Sequence, residues 1–353
     1  MRKITGRWLD RPATQTICDA LQRDGATVLF VGGCVRNSLL SVPVGDIDIA
    51  TDAKPETVMS LARAAGIKAV PTGIEHGTVT LVREGIAHEV TTFRRDVDTD
   101  GRHAVVAFSK KVEEDAARRD FTMNALYARP DGTVIDPIGG MPDLIARRVR
   151  FIGSADERIR EDYLRSLRYF RFHAWYGNQS AGMDSESLSS IGANLDGIDK
   201  VSRERVGHEM IKLLAAPDPT LAIAGMQATG LLAHVLPGAS PRALQPLVHL
   251  EAELGIQTDP LRRLAALGGT DLGDASRLSR TQIAQVESLR DFAASATGAG
   301  ELGYRLNSDM ARDVLLLRCA LLEKPWNHGA LREVDKGASA EFPVSGRDLM
   351  PGL

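Results

Sequence analysis

Two aspartates two residues apart, Asp46 and Asp48, are the residues of this sequence best suited to chemistry. They lie in the segment GDIDIAT, whose alternation of apolar and polar residues predicts a strand. The period of two then places both carboxylates on one face of that strand. Such hard oxygen ligands hold Mg²⁺ in phosphoryl transfer, because a cation between them removes their mutual repulsion. The alternative is that the two aspartates only cap the end of a strand that is exposed to solvent.

A possible phosphate site lies ten residues before Asp46. Gly32 and Gly33 follow the apolar run VLFV and precede Arg36. The pattern predicts a strand, a turn and the start of a helix, where backbone N–H groups can bind a phosphate beside the arginine. A glycine pair alone is more typical of an ordinary turn than of a phosphate site. Its spacing from the aspartates favours a combined phosphate and metal site.

The elements that must position these residues change along the chain. Before about residue 150, short apolar or alternating runs predict strands, including a hairpin of TVTLV and HEVTTF. After Pro137 the strand signals fade, and helical spacing predicts one long helix from Ala155 to about Tyr176, followed by shorter packed helices. The sequence therefore predicts an α+β fold, with a mixed or antiparallel sheet in an N-terminal head and an all-α remainder.

Composition limits the class of protein. A chain of 353 residues is long enough for two or more cores, and 43% hydrophobic with 25% charged residues is typical of a soluble globular protein. Three scattered cysteines predict neither a zinc site nor a disulfide framework. No run approaches the ~18 apolar residues of a membrane span, so we expect a cytoplasmic protein without a membrane partner.

Arginine is concentrated in one region although the net charge is only −3. Positions 147 to 171 contain eight arginines, no lysine and four acidic residues. Guanidinium groups suit planar, bidentate recognition better than ammonium groups do, whereas a solvated helix face is the simpler explanation of a charge run. The region is a candidate nucleotide or nucleic-acid site.

Taken in order, the motifs resemble the class II tRNA nucleotidyltransferase and bacterial poly(A) polymerase family, a branch of the DNA polymerase beta-like nucleotidyltransferases. The matching segments are GGCVRNSLLSVPVGDIDIAT, GIEHGTVTL, HEVTTFR, ARRDFTMNALY, DPIGGMPDL, EDYLRSLRYFRF and VSRERVGHE. They cover about residues 27 to 214. The resemblance implies a nucleotidyltransferase head at 1–138, a neck with the nucleotide-reading helix at 139–215, and an RNA-binding body and tail at 216–353.

The resemblance also implies roles for the residues that match. Asp46 and Asp48 would be the catalytic carboxylates and bind magnesium, with Glu89 either a third carboxylate or a solvated strand residue. The remaining matches would bind the nucleotide through its triphosphate, ribose or base: Gly33, Arg36, Arg119, Asp120, Asp162, Arg165, Arg168 and Arg171.

The implied reading helix agrees with helical geometry. Residues three apart are neighbours on a helix, so Asp162 and Arg165 would lie side by side while Arg168 and Arg171 wind away. A carboxylate and a guanidinium together can bind the Watson–Crick edge of C or A, and would reject U and G. The alternative is an ordinary ion pair between Glu161 and Arg165.

Within the family, the segment GIEHGTVTL is of the CCA-adding form. The long polar segment 94–108 is typical of a mobile element needed for the final A. We therefore expect addition of C, C and A to the tRNA 3′ end from CTP and ATP, with Mg²⁺ and without a protein partner. Poly(A) synthesis, or CC or A addition alone, is the alternative within the family. A non-catalytic tRNA-binding protein and an antibiotic nucleotidyltransferase are remote alternatives.

Two features depart from the family pattern. Asn37 stands where the family usually has Asp, so this position can form hydrogen bonds but brings no charge. The sequence also ends earlier than in relatives of this family, from which we expect a shortened RNA-binding tail.

Overall fold

A computed structural model describes residues 2–99, 104–270, 272–273 and 277–341. The chain forms two compact units. The first comprises Met1–Tyr169 and Tyr176–Gly197, and the second comprises Phe170–Trp175 and Ile198–Leu353.

The first unit is built on a seven-stranded mixed sheet of order β3-β4-β5-β2-β1-β8-β9. In this sheet β2 and β5 are parallel, and the other neighbouring pairs are antiparallel. The strands are β1 (Val28–Val31), β2 (Ile47–Thr51), β3 (Lys68–Gly73), β4 (Thr78–Arg83), β5 (Ile86–Thr92), β8 (Tyr127–Ala128) and β9 (Val134–Ile135), and a separate pair joins β6 (Arg94–Thr99) to β7 (Ala104–Phe108). The predicted α+β fold with a mixed sheet is confirmed.

Helices complete the first unit and continue into the second. The helices that begin before residue 198 are α1 (Pro12–Gln22), α2 (Gly33–Leu39), α3 (Pro55–Ala64), α4 (Val112–Ala117), α5 (Met141–Ile145), α6 (Ala155–Glu161), α7 (Leu164–Tyr176) and α8 (Ser185–Ala193). Residues 170–175 of α7 belong to the second unit.

The position of β1 inside the sheet explains the fold of the segment that runs from Val28 through Gly32 into α2. Every residue of β1 is buried, so the strand is apolar throughout rather than alternating. Gly32 then has φ +68°, a left-handed value that favours glycine, and the chain turns directly into α2. The predicted order of strand, glycine turn and helix is confirmed.

The prediction of one long helix from Ala155 to Tyr176 is wrong in one respect, because the helix is interrupted at Asp162. This residue is extended, with φ −154° and ψ 104°, between α6 and α7. One of its carboxylate oxygens accepts a hydrogen bond from the Leu164 backbone N–H at 3.2 Å. Aspartate favours this position because its side chain satisfies a free N–H at the start of a helix. Asp162 therefore lies between two helices, two residues before the first residue of α7, instead of lying within one helix.

The polar segment from Arg94 to Phe108 also differs from expectation. Its described parts are strands β6 and β7, which pair in antiparallel fashion. Asp100, Gly101 and Arg102, which the sequence placed in a mobile loop, lie outside the described residues.

The second unit is helical in its described part. Its helices are α9 (Arg203–Leu214), α10 (Thr220–Ala228), α11 (Leu231–Val235), α12 (Leu244–Glu253), α13 (Pro260–Leu267), α14 (Arg280–Ala294), α15 (Ala299–Arg305), α16 (Ser308–Leu322) and α17 (His328–Ala338). Within the described ranges, no helix of either unit has the length and apolar character needed to cross a membrane.

A buried charge cluster joins four segments of the second unit. Arg262 and Arg263 of α13 are among the largest fully buried side chains of the protein. Both donate to the carboxylate of Glu251 in α12, and Arg262 also donates to Asp313 in α16. Arg263 donates to the backbone oxygen of Leu214 at the end of α9. Because each charge is paired, burial of the cluster is tolerated, and the cluster fixes α9, α12, α13 and α16 together.

Candidate active site

Three carboxylates gather where β2 lies beside β5. Asp46 precedes β2, Asp48 lies on it, and the parallel register pairs Asp48 with Glu89 on β5. Partial burial, together with repulsion by Glu89 and Asp46, raises the pKa of Asp48 to about 6. Burial is the larger cause, and the repulsion shows in addition an excess of negative charge around Asp48. The sequence predicted that Asp46 and Asp48 share one face of a strand. The pairing of β2 with β5 places Glu89 beside Asp48.

Two arginines provide part of that compensation, since Arg119 and Arg36 both act to lower the pKa of Asp48. Arg119 also lies against the glycine turn, because a Cβ atom added to Gly32 would be 3.5 Å from its Nη1 atom. Gly33 opens α2 at the same turn. The predicted phosphate-binding turn, the arginine of the RRD motif and the carboxylates therefore meet where β1 ends and β2 begins, in the middle of the sheet.

The Arg119 guanidinium is held by the buried carboxylate of Asp115 and the hydroxyl of Tyr127. Its Nη2 donates to Asp115 at 3.0 Å and its Nε donates to the hydroxyl of Tyr127 at 3.0 Å. Tyr127 in turn donates to Asp115 at 2.7 Å. Burial disfavours ionisation of Asp115, but Arg119 and Tyr127 together hold its pKa below the usual range. The Arg119 guanidinium is thus fixed in place by an ionised partner.

Asp115 also reaches the β6–β7 pair. Its second oxygen accepts a hydrogen bond from the Arg94 backbone N–H, at the first residue of β6, at 3.2 Å. One carboxylate therefore holds both Arg119 and the start of the segment that was expected to be mobile.

Asp120 is buried and binds Arg168 of α7. The Arg168 Nε donates to Asp120 at 2.9 Å, and the Asn124 amide donates to the other carboxylate oxygen at 2.9 Å. Burial opposes ionisation of Asp120, but attraction to Arg168 and the bond from Asn124 lower its pKa to about 2. Asp120 is therefore ionised, and it links the RRD motif to the helix that carries the later arginines.

Arg36 is buried and has several partners within the first unit. It donates to the side-chain oxygen of Asn124 at 2.6 Å, to Asn37 at 2.8 Å and to the hydroxyl of Tyr176 at 2.9 Å. The Asn37 amide meanwhile donates to the Pro43 backbone oxygen at 2.8 Å. An aspartate at position 37 would keep the first of these Asn37 bonds and lose the second, because it has no donor when ionised.

The remaining expected site residues have other partners. Arg165 donates to Glu161, the simple ion pair that the sequence offered as the alternative, and to the Arg158 backbone oxygen. Arg171 belongs to the second unit and donates to Glu209 of α9 at 2.5 Å. The structure thus brings Arg36, Asp120 and Arg168 into one network and gives Arg165 and Arg171 separate contacts.

Comparisons with known proteins identify the family of this chain. Residues 28–150 match the model of the poly A polymerase head domain, and residues 182–242 match a probable RNA- and SrmB-binding site of polymerase A. The chain is 32% identical to the mouse mitochondrial CCA tRNA nucleotidyltransferase 1, over 95% of this chain and 80% of that protein. This chain belongs to the class II CCA-adding enzyme and poly(A) polymerase family.

Other members of the family show similarity of different extent. The CCA-adding enzyme of Geobacillus thermodenitrificans is 44% identical, but the match spans 63% of this chain and 54% of that protein. The structure of the Bacillus stearothermophilus CCA-adding enzyme in complex with CTP is similar with a TM-score of 0.73 at 30% identity. That match covers 96% of this chain and 87% of the other. The family therefore accounts for both compact units.

The family motifs did not by themselves identify the residues that hold the arginines. Asp115, Asn124, Tyr127 and Tyr176 were not singled out from the sequence. A signal was available for three of them, since Asn124 and Tyr127 lie within ARRDFTMNALY and Asp115 is four residues before Arg119. Tyr176 lies beyond the quoted motif EDYLRSLRYFRF, and only the fold brings it to Arg36.

The carboxylates fit a magnesium ion that is shared with a nucleotide. Within the residues that can be described, no group of three or more His, Cys, Asp or Glu side chains is arranged to hold a metal ion. Mg²⁺ commonly binds one or two carboxylates and takes its other ligands from substrate phosphates and water. Asp46 and Asp48 satisfy that requirement, and the charge excess at Asp48 favours a cation there.

Asp115→Asn should weaken nucleotide binding without changing which nucleotide is preferred. The change leaves the Arg119 guanidinium without its ionised partner, so its orientation loosens. We expect kcat/KM for CTP and ATP to fall by about 10- to 100-fold each, mainly through KM. The control is Glu113→Gln on the exposed side of the same helix. Unchanged KM values in steady-state assays would remove Asp115 from this role.

Proposed function

We propose that this protein adds C, C and A to the 3′ end of tRNA, taking them from CTP and ATP without a nucleic-acid template. The observation that carries the proposal is that Asp48 feels both the negative charge of Asp46 and the positive charge of Arg36. Arg36 in turn begins the Arg36–Asn124–Asp120–Arg168 network of hydrogen bonds. The match along most of the mouse CCA tRNA nucleotidyltransferase supports tRNA as the substrate.

The reaction is a displacement at phosphorus. The RNA 3′ oxygen attacks the α-phosphate of the nucleotide, a new oxygen–phosphorus bond forms, and the bond to the oxygen shared with the β-phosphate breaks. Pyrophosphate leaves with the bonding electrons and the hydroxyl proton passes to solvent. Asp46 and Asp48 would hold Mg²⁺, which neutralises phosphate charge and favours ionisation of the attacking hydroxyl.

Different arginines would bind different parts of the nucleotide. Arg119 and Arg36, whose charges both act on Asp48, would bind the triphosphate together with backbone N–H groups of the turn at Gly33. Asp120 would orient the ribose. Asp162, Arg165, Arg168 and Arg171 would form the protein surface that selects C or A by its Watson–Crick edge.

Single-nucleotide incorporation is the direct test of the function. The protein is incubated with Mg²⁺, a tRNA that ends at the discriminator base, and one labelled nucleotide at a time. We expect two C residues from CTP, A only after both C residues are present, and no incorporation with EDTA. A long A tail from ATP alone would indicate a poly(A) polymerase, and C without A a CC-adding enzyme.

Arg165→Ala should impair the choice of base more than transfer itself. Its guanidinium is proposed to donate to the base, so its loss should let UTP compete with CTP while chemistry at Asp46 and Asp48 continues. We expect the ratio of kcat/KM for CTP to that for UTP to fall by about tenfold or more. Arg160→Ala, an exposed arginine of α6, is the control. An unchanged ratio would exclude base reading by Arg165.

We also propose the division into a head at 1–138, a neck at 139–215 and an RNA-binding body and tail at 216–353. The two matched segments, 28–150 and 182–242, are compatible with it. A cytoplasmic location stays a prediction, since the mouse relative is mitochondrial.

A further inference from the structure

A chain of hydrogen bonds in the first unit closes on itself through helix α7. It runs from Arg36 to Asn124, from Asn124 to Asp120, and from Asp120 to Arg168. Helix α7 then leads from Arg168 to Tyr176, whose hydroxyl accepts a hydrogen bond from Arg36 at 2.9 Å. The proposed triphosphate arginine therefore contacts the proposed reading helix at two points, once through two intermediates and once directly.

The amide of Asn124 gives this chain its direction. Its oxygen accepts from the Arg36 cation at 2.6 Å, and its nitrogen donates to the Asp120 carboxylate at 2.9 Å. A carboxylate at this position could not donate to Asp120, and an ammonium could not accept from Arg36. The two partners therefore fix the orientation of the amide. A shift of Arg36 is transmitted to Asp120, and so to Arg168.

Tyr176 holds Arg36 in two ways. Its hydroxyl accepts from Nη2, and its ring lies under the guanidinium with 3.9 Å between the guanidinium carbon and the ring centroid. Cation–π contact and the hydrogen bond act on the same group, so the orientation of the guanidinium depends on the position of Tyr176. No family motif quoted above contains this residue.

The spacing of the two contacts along α7 determines how well the helix is oriented. Arg168 and Tyr176 are eight residues apart, or about 12 Å, and Arg165 lies about 4.5 Å beyond Arg168 in the other direction. If Arg168 alone were fixed, a movement of 1 Å at Tyr176 would displace the Arg165 backbone by roughly 0.4 Å. Binding sites must hold their groups within about 0.5 Å of the productive geometry. A displacement of roughly 0.4 Å takes up most of that tolerance, so a second contact at Tyr176 improves the placement of Arg165.

We propose that Tyr176 is a positioning residue that couples triphosphate binding at Arg36 to the orientation of the base-reading helix. The inference rests on the proposed function. It assigns Tyr176 to the specificity of the reaction and not to its chemistry, since Tyr176 acts through Arg36 and α7.

Tyr176→Leu and Tyr176→Phe test the coupling in the full-length protein. The first removes both the ring and the hydroxyl, and the second keeps the ring beneath the guanidinium. With Tyr176→Leu we expect the ratio of kcat/KM for CTP to that for UTP to fall about tenfold, with KM for CTP and ATP both increased. With Tyr176→Phe we expect about a threefold fall in the ratio. A purely structural role would lower kcat or the active fraction and leave the ratio and KM unchanged.

The matched control is Tyr304→Leu, at an exposed tyrosine of α15 in the second unit. Melting temperatures show whether each variant is folded. An unchanged CTP to UTP ratio in folded Tyr176→Leu would overturn the proposal, and Tyr176→Phe provides the same test if Tyr176→Leu does not fold. Failure of the wild-type protein to add C and A would instead refute the proposed function.

Discussion

Asp48→Asn is expected to abolish the incorporation of both C and A, because one carboxylate pair serves both additions. Loss of a ligand to the catalytic cation removes several kcal/mol of stabilisation from the transition state. We expect a fall in kcat/KM of at least about a thousandfold for each nucleotide. Single-turnover assays with CTP on a tRNA that lacks CCA, and with ATP on a tRNA that ends in CC, measure the two losses separately.

The same substitution should stabilise the protein in the absence of metal. The pKa of Asp48 is about 6 in the folded protein against an ordinary value of 3.8, so the folded chain binds a proton more tightly than the unfolded chain. Between about pH 4 and pH 6 the unfolded state therefore loses its proton first, and the free energy of unfolding falls as pH rises. Removal of this charge should add about 1 to 3 kcal/mol above pH 6 and nothing below pH 4.

Urea unfolding of metal-free wild type and Asp48→Asn at pH 4 and pH 7.5 measures this difference, and Asp52→Asn at the end of the same strand is the control. Mg²⁺ should raise the melting temperature of the wild type more than that of Asp48→Asn. Equal stability at pH 7.5, together with an equal response to Mg²⁺, would contradict a charge excess at Asp48. Retained transfer of either nucleotide would remove Asp48 from catalysis.

The sequence predicted the elements of the site well because their signals are local. The apolar run of β1, the glycine turn into α2 and the alternation around Asp48 each depend on neighbouring residues. The partner of β2 is different, because Glu89 is 41 positions beyond Asp48 and reaches it only through the parallel pairing with β5. The residue pattern of β4 and that of β5 do not indicate which of these two strands pairs with β2.

The break at Asp162 shows how a correct periodicity can hide a boundary. Apolar and arginine residues keep helical spacing on both sides of it, so the whole segment resembles one helix. The signal that was overlooked is the aspartate itself, which favours the start of a helix where it can accept a backbone N–H. Asp162 and Arg165 remain close along the chain. Asp162, however, precedes α7, and Arg165 lies in its first turn.

The partners of the arginines could not be predicted from their own motifs. A motif identifies Arg119 or Arg36, whereas Tyr176 is 140 positions from Arg36 and becomes its partner only in the folded chain. Asp115 is only four positions before Arg119, so for this partner a local signal existed. Guanidinium groups need several acceptors in a plane, so a buried arginine implies that such acceptors exist without indicating where they are. These supporting residues are the part of the site that required the structure.

Glu251→Ala is expected to destabilise the second unit severely, by about 3 to 5 kcal/mol. Glu251 is 3% exposed and accepts hydrogen bonds from Arg262 at 2.7 Å and from Arg263 at 2.8 Å. Without it, Asp313 would be the one carboxylate left in the described cluster, and it accepts from Arg262. Arg263 would then keep only neutral acceptors there, such as the Leu214 backbone oxygen. The cost comes from uncompensated buried charge more than from the lost side-chain volume.

Glu253→Ala, two residues further along the same helix and exposed, is the matched control and should change stability by less than about 0.5 kcal/mol. Urea unfolding followed by tryptophan fluorescence is well suited to the comparison, because Trp175 and Trp326 belong to the second unit and Trp8 to the first. The Glu251→Ala transition should move to lower urea with both variants folded at the start. A loss below about 1 kcal/mol would mean that backbone oxygens, such as that of Leu214, suffice to hold Arg263. In that case the charge cluster would not be what fixes α9, the helix that carries the Glu209 partner of Arg171.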